Sequence, residues 1–93
     1  MKVQFLPSVH SDIDRLHEFL HQKNADAADK VVDLLYDAAL SLRENPDRGR
    51  PLNSGFRELI VRFGKRGYVV RYRVDAAKGI VQIARMWHAR ERR

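Results

Sequence analysis

Three runs decide the fold: Phe56-Arg57-Glu58-Leu59-Ile60-Val61-Arg62-Phe63, Tyr68-Val69-Val70-Arg71-Tyr72-Arg73-Val74 and Ile80-Val81-Gln82-Ile83-Ala84-Arg85-Met86-Trp87-His88. Each is rich in β-branched and aromatic residues, which suit a pleated, half-buried surface. Gly64-Lys65-Arg66-Gly67 breaks the first from the second, and Asp75 to Gly79 breaks the second from the third. Breaks this short cannot carry a crossover, so the runs predict an antiparallel meander. Alternation puts Leu59, Val61 and Phe63 on one side of the first strand, and Tyr68, Val70, Tyr72 and Val74 on one side of the second. Arg71 and Arg73 take the other side of the second strand. The third strand has no single phase. Val81, Ile83 and Trp87 share a side with Arg85, while Ala84 and Met86 share one with His88. A bulge or a strand end would bring Arg85 and His88 together.

Upstream, Val3, Phe5 and Leu6 form a short apolar run that Pro7 ends, a brief strand. Ser8 or Ser11 then offers an N-cap oxygen. Val9, Ile13, Leu16 and Leu20 make one stripe of an amphipathic helix, with Asp12 and Asp14 in its early turns, where negative charge suits the helix dipole. Asn24 can cap a second helix, whose stripe is Ala28, Val31, Val32, Leu35, Ala38, Ala39 and Leu42, stopped by Asn45-Pro46. Neither helix can bury its stripe alone, so the antiparallel pair should lie on one face of the sheet. Residues 44–55 are dense in turn formers and longer than a connector requires, a mild sign of function. The expected class is α+β: an N-terminal strand, an antiparallel helix hairpin, then the three-stranded meander. Together they should make one antiparallel sheet of four strands with helices on one face.

The 93 residues make one domain with one core. There is no cysteine, hence no disulfide and no thiolate chemistry. No apolar run approaches membrane-spanning length, which points to a soluble, cytoplasmic protein that does not engage a membrane. Charge is unevenly placed. Residues 56–93 hold eleven Lys and Arg against three acids, a net of +8, while residues 1–55 net −2. Such asymmetry favours a polyanionic or acidic partner: RNA, DNA or an acidic protein segment.

The order and spacing of several motifs resemble the RelE/ParE superfamily, the toxins of bacterial type II toxin–antitoxin modules. The motifs are Leu42 to Pro46 with Gly49-Arg50, Phe56-Arg57-Glu58-Leu59, Tyr68 to Val74, and Ile83-Ala84-Arg85-Met86-Trp87-His88-Ala89-Arg90. The resemblance covers nearly the whole chain and implies a small basic toxin neutralised by a cognate antitoxin. It implies one of two targets: DNA gyrase, poisoned by binding in the ParE branch, or the ribosome with its mRNA, cleaved in the RelE branch. The chain is an enzyme only in the second case. The Trp-His-Ala-Arg ending and the Phe-Arg-Glu-Leu strand look more ParE-like. Asn53-Ser54-Gly55 carries no acid to serve as a general base, and no tyrosine follows Trp87. A further reading is a plain basic nucleic-acid-binding module.

In the nuclease branch Arg71, Arg85 and His88 match catalytic positions, supplying cations and a proton-transfer group. For antitoxin or target binding the candidates are Arg57, Arg71, Arg73, Arg85, Trp87 and Arg90. Each has a plainer alternative. His88 can pack on Trp87 or bond to backbone at a strand end. Arg71 and Arg73 can form an ion-pair face with Glu58 or Asp75. Arg85, among apolar residues, must be paired if buried. Trp87 can stack a base, or anchor a core where helices meet sheet or an interface. His17 and His21 stand at a metal-compatible spacing but lack further ligands, so no metal is expected. No phosphate loop or nucleophile elbow is present, and no cofactor is expected.

Overall fold

The computed structural model describes residues 1–91; Arg92 and Arg93, part of the basic tail read above, lie outside the described residues. The elements are β1 (Lys2–Phe5), α1 (Pro7–His21), α2 (Ala25–Ser41), β2 (Arg50–Pro51), β3 (Arg57–Phe63), β4 (Arg66–Asp75) and β5 (Ile80–His88). They form an α+β fold with the two helices packed on one face of a sheet ordered β1-β5-β4-β3-β2.

The meander forms as the runs predict, but the sheet is mixed and has five strands. β1 lies parallel to β5, with Lys2 opposite Ile80 and Phe5 opposite Ile83. The extra strand, β2, is two residues of the long loop that pair with Arg57 and Glu58 of β3. The β3–β4 turn is tighter than the four-residue break, because Phe63 pairs directly with Arg66. Gly64 takes φ 61° there and, among the described residues, no non-glycine residue has positive φ, the pattern of a type II′ hairpin turn.

Helix α1 begins at Pro7, without a side-chain cap. Proline needs no N–H partner in the first turn and its fixed φ already suits a helix, so the serines are not required. Ser8 instead donates to the Ala84 carbonyl of β5, at 2.7 Å. Asn24 caps α2 as read, accepting from the Ala27 N–H at 3.0 Å. The core is built from Val9, Ile13, Leu16 and Leu20 of α1, Val31 and Leu35 of α2, and Tyr68, Val70, Tyr72, Val81, Ile83 and Met86 of the sheet. Trp87 is not in it. The register sets Trp87 opposite Val69, on the sheet face away from the helices.

That placement follows from one bulge. Arg71 pairs with Arg85 but Tyr72 pairs with Ile83, so Ala84 is an extra residue in β5. The bulge changes the phase of the strand, and the buried side passes from Val81 and Ile83 to Met86. It falls before Arg85, so Arg85 and His88 stay out of phase and are not brought together.

Candidate functional site

Pro7 ends β1 early, which leaves Ala84 to His88 without a strand neighbour on one side. Buried backbone groups need partners, and α1 provides them. Besides the Ser8 contact, the Met86 N–H donates to Asp12 Oδ2 at 2.9 Å and Arg15 Nη2 donates to the Met86 carbonyl at 3.2 Å. Asp12 is only 2% exposed. It also accepts from Arg85 Nε at 2.8 Å, Arg85 Nη2 at 3.0 Å and Arg15 Nη1 at 2.8 Å. Arg15 Nε reaches Glu91 at 3.1 Å, and Glu91 accepts the His88 N–H at 2.8 Å. Burial pushes the Asp12 carboxyl up, but hydrogen bonds from Arg85, Arg15 and the Met86 N–H outweigh it and hold the pKa below the ordinary aspartate value. Arg85 is thus committed to an internal carboxylate.

Asp12, read from the sequence as a dipole partner in the early turns of the helix, is instead the buried centre of this cluster. Its signal was present. Asp12 stands three residues after Val9 and four before Leu16, on the apolar stripe itself. A carboxylate on that stripe is buried and needs a cation from elsewhere in the fold. Arg15 and Glu91 carry no such local signal, since their contact joins residues 76 apart.

Arg71 is held as well. Its Nε and Nη2 donate to Glu58 Oε2 at 3.1 and 2.6 Å, and its guanidinium lies 4.8 Å from the centre of the Trp87 ring. Arg50 approaches the same Glu58 at 3.5 Å. Arg71 and Arg85 stand directly opposite across the strands, where like charges repel; Glu58 and Asp12 each neutralise one of them. Arg73 donates to Gln82 at 2.9 Å rather than to Asp75, and lies 5.6 Å from the Phe56 ring. Arg57 holds the long loop through the Asp47 and Gly49 carbonyls, at 3.2 and 2.8 Å. The Tyr72 hydroxyl holds it again, donating to the Pro46 carbonyl and accepting the Gly49 N–H, both at 2.7 Å.

His88 packs edge-on against Tyr68, 5.1 Å between ring centres, on the helix side of the sheet and not against Trp87. Its Nδ1 accepts the Arg90 N–H at 3.1 Å, which leaves Nε2 to carry the proton of the neutral ring. Burial, then the Arg90 charge, depress its pKa. Near the N-terminal helix His17 pairs with Asp29 at 2.8 Å, and His21 lies beside it.

A groove of about 910 Å³ opens between the C-terminal half of α1, the end of the β3–β4 hairpin and residues 88–91. Leu16, Phe19, Leu20 and Ile60 contribute apolar lining, and Arg62, Lys65, Arg66 and Arg90 contribute charge. Phe19 and Ile60 are 58% and 51% exposed. Of the residues nominated from sequence, the groove gathers only His88 and Arg90; Arg57, Arg71, Arg73, Arg85 and Trp87 lie elsewhere.

Comparison with known proteins matches residues 3–93 to the family described as ParE toxin of type II toxin-antitoxin system, parDE. Toxin RelE3 of Caulobacter vibrioides is 40% identical over 98% of this chain and 97% of its own length. Toxin RelE1 of the same organism is 38% identical over 88% and 86%. A solved structure titled "Chromosomal ParDE TA system from P. aeruginosa" shares the fold, with a TM-score of 0.80, 21% identity and 95% of each chain covered. The chain belongs to the ParE toxin family: it is the toxin of a type II toxin–antitoxin system, and the family implies a cognate antitoxin.

Proposed function

We propose that this toxin acts by binding DNA gyrase, in the cytoplasm, and not by cleaving RNA. One observation carries the reading: the three groups that RNA cleavage would require do not converge. Arg71 is engaged by Glu58, Arg85 by Asp12, and His88 lies on the other side of the sheet from Arg71 with Nδ1 occupied. Attack by a 2′-hydroxyl needs a base, an acid and a charge-stabilising cation within reach of one phosphate. Binding needs only an accessible surface of suitable charge and shape.

A second reading, mRNA cleavage on the ribosome, is favoured by the names of the curated relatives, Toxin RelE3 and Toxin RelE1. One experiment separates the two. Purified toxin is added to a gyrase supercoiling assay and, separately, to a translating ribosome extract. Loss of supercoiling with intact message is the expected result. Message cut at codon positions with supercoiling unaffected would overturn the proposal in favour of the second reading.

A further inference from the structure

His17 and His21 stand one turn apart on α1, and the sequence offers them no further ligand. The fold brings one. Asp29, near the start of α2, reaches across the helix hairpin and places Oδ1 2.8 Å from His17 Nε2. The His21 ring centre is 5.5 Å from that of His17, with the two planes tilted by 34°. Neither contact serves the core. The His17 and Asp29 side chains are 37% and 74% exposed, and His21 is exposed as well. A polar pair so open to water adds little stability. Helix α2 is also the acidic element of a basic chain. It carries Asp26, Asp29, Asp33 and Asp37 against Lys30 alone, and the field of that charge favours a cation beside it.

We propose that His17, His21 and Asp29 bind a divalent transition-metal ion of the zinc class, which clamps α1 to α2. The inference is independent of how the toxin acts on its target. The donor set selects the ion. Two imidazole nitrogens and one carboxylate oxygen, completed by water, suit zinc, copper and nickel, whereas magnesium and calcium ask for oxygen alone. The spacing is close to what such an ion needs. Two donors each about 2.0–2.2 Å from a tetrahedral zinc stand about 3.3–3.6 Å apart, so the His17–Asp29 contact has to open by less than about 1 Å. The ring centres of two imidazoles on one zinc stand about 5 Å apart, near the separation of His17 and His21. Among the described residues no three such groups already converge on one point. The site closes when the exposed His21 and Asp29 side chains turn toward the ion. The proton now shared between His17 Nε2 and the carboxylate gives way to the metal, and the neutral ring keeps its proton on Nδ1.

The test is isothermal titration calorimetry of the purified 93-residue chain, without a histidine tag, against zinc chloride. One zinc should bind per chain, and excess magnesium should not compete. At zinc about a hundredfold above its Kd, the melting temperature should rise by about 5 °C or more, because the ion favours the folded chain. Loss of an outer-shell partner alone costs metal sites about 10–100-fold, so removing a ligand should cost about tenfold or more. His17→Ala and His21→Ala should each show that loss. Asp29→Asn keeps an acceptor for His17 but withdraws the carboxylate, and should show it too. All three positions are partly or fully exposed, so the variants should keep the wild-type circular dichroism spectrum. His10→Ala is the control. His10 stands seven residues before His17, about 10 Å along the helix, and its loss should change affinity less than about twofold. No binding at about 1 mM zinc would leave His17 and Asp29 a hydrogen bond between helices and overturn the proposal. Binding that is indifferent to His21→Ala or to Asp29→Asn would overturn it as well, and so would binding that His10→Ala abolishes.

Discussion

Replacing Asp12 with alanine should cost this protein a large share of its stability. The carboxylate accepts four hydrogen bonds: two from Arg85, one from Arg15 and one from the Met86 N–H. The Met86 N–H is buried and has no other acceptor beside it, so its loss costs about 1–3 kcal/mol. The two guanidiniums are different. The Arg15 and Arg85 side chains are 35% and 40% exposed, so water takes over much of their solvation. Each of those pairs is worth only about 0.5–1 kcal/mol. The expected loss is about 2–5 kcal/mol, against a total stability on the order of 5–15 kcal/mol for a small domain. For a chain of this size each kcal/mol moves the melting temperature by about 4–8 °C.

Urea denaturation followed by circular dichroism measures the change directly. Asp12→Asn, which keeps an acceptor for Met86 but loses the charge, should cost about half as much. The acid limb gives a second reading. The folded pKa of Asp12 lies below its unfolded value, so its contribution is complete above about pH 4 and is lost as the pH falls through the folded pKa. Asp12→Asn should lack that limb. An alanine variant within about 0.5 kcal/mol of wild type would refute the claim that α1 replaces a strand at the edge of β5.

Tyr72→Phe removes the hydroxyl that ties Pro46 and Gly49 to the sheet, and should destabilise by about 1–3 kcal/mol, with faster proteolysis of residues 44–55 as the check. Arg71→Ala uncovers the Trp87 ring and should shift its fluorescence emission to longer wavelength while leaving the helix–sheet core intact; an unmoved spectrum would mean that Arg71 does not shield the indole. The neutral form of His88 is favoured in the fold, first by burial and then by Arg90, so stability should be full above about pH 6.5 and fall as the pH drops through the lowered folded pKa. A His88→Gln variant should lose the slope that begins as the pH falls below about 6.5; a slope that persists would assign it to another group.

What was legible in the sequence depended on the range of the interaction that fixes it. The strands, the helix stripes and the Asn24 cap rest on periodicity and neighbours, and they were readable. The sheet's mixed character was not, because nothing near Val3 says that it will lie beside Val81. Trp87 was misplaced by a single extra residue, Ala84, since a strand that changes phase looks ambiguous until its partner strand is known. The site was less legible than the fold. Arg85 reads as a free cation on a basic strand, and only the approach of Asp12, 73 residues away, shows that it is paired.

This last point changes what the charge asymmetry means. The net of +8 in residues 56–93 suggested an arginine-bearing sheet face as the active surface. Folding spends part of that charge. Asp12 comes from the acidic half of the chain to meet Arg85, and Glu58 meets Arg71 within the sheet, so the middle of β4 and β5 is close to balanced. Whatever these pairs add to stability, they cancel field over short distances. The unbalanced charge is displaced toward the hairpin end and the C-terminal segment, where Arg62, Lys65, Arg66 and Arg90 surround an apolar groove. A residue count along the sequence therefore locates the third of the molecule that carries the excess charge, but not which of its arginines folding pairs with an acid. Which cations keep a carboxylate partner is decided by contacts between distant parts of the chain, as between Asp12 and Arg85.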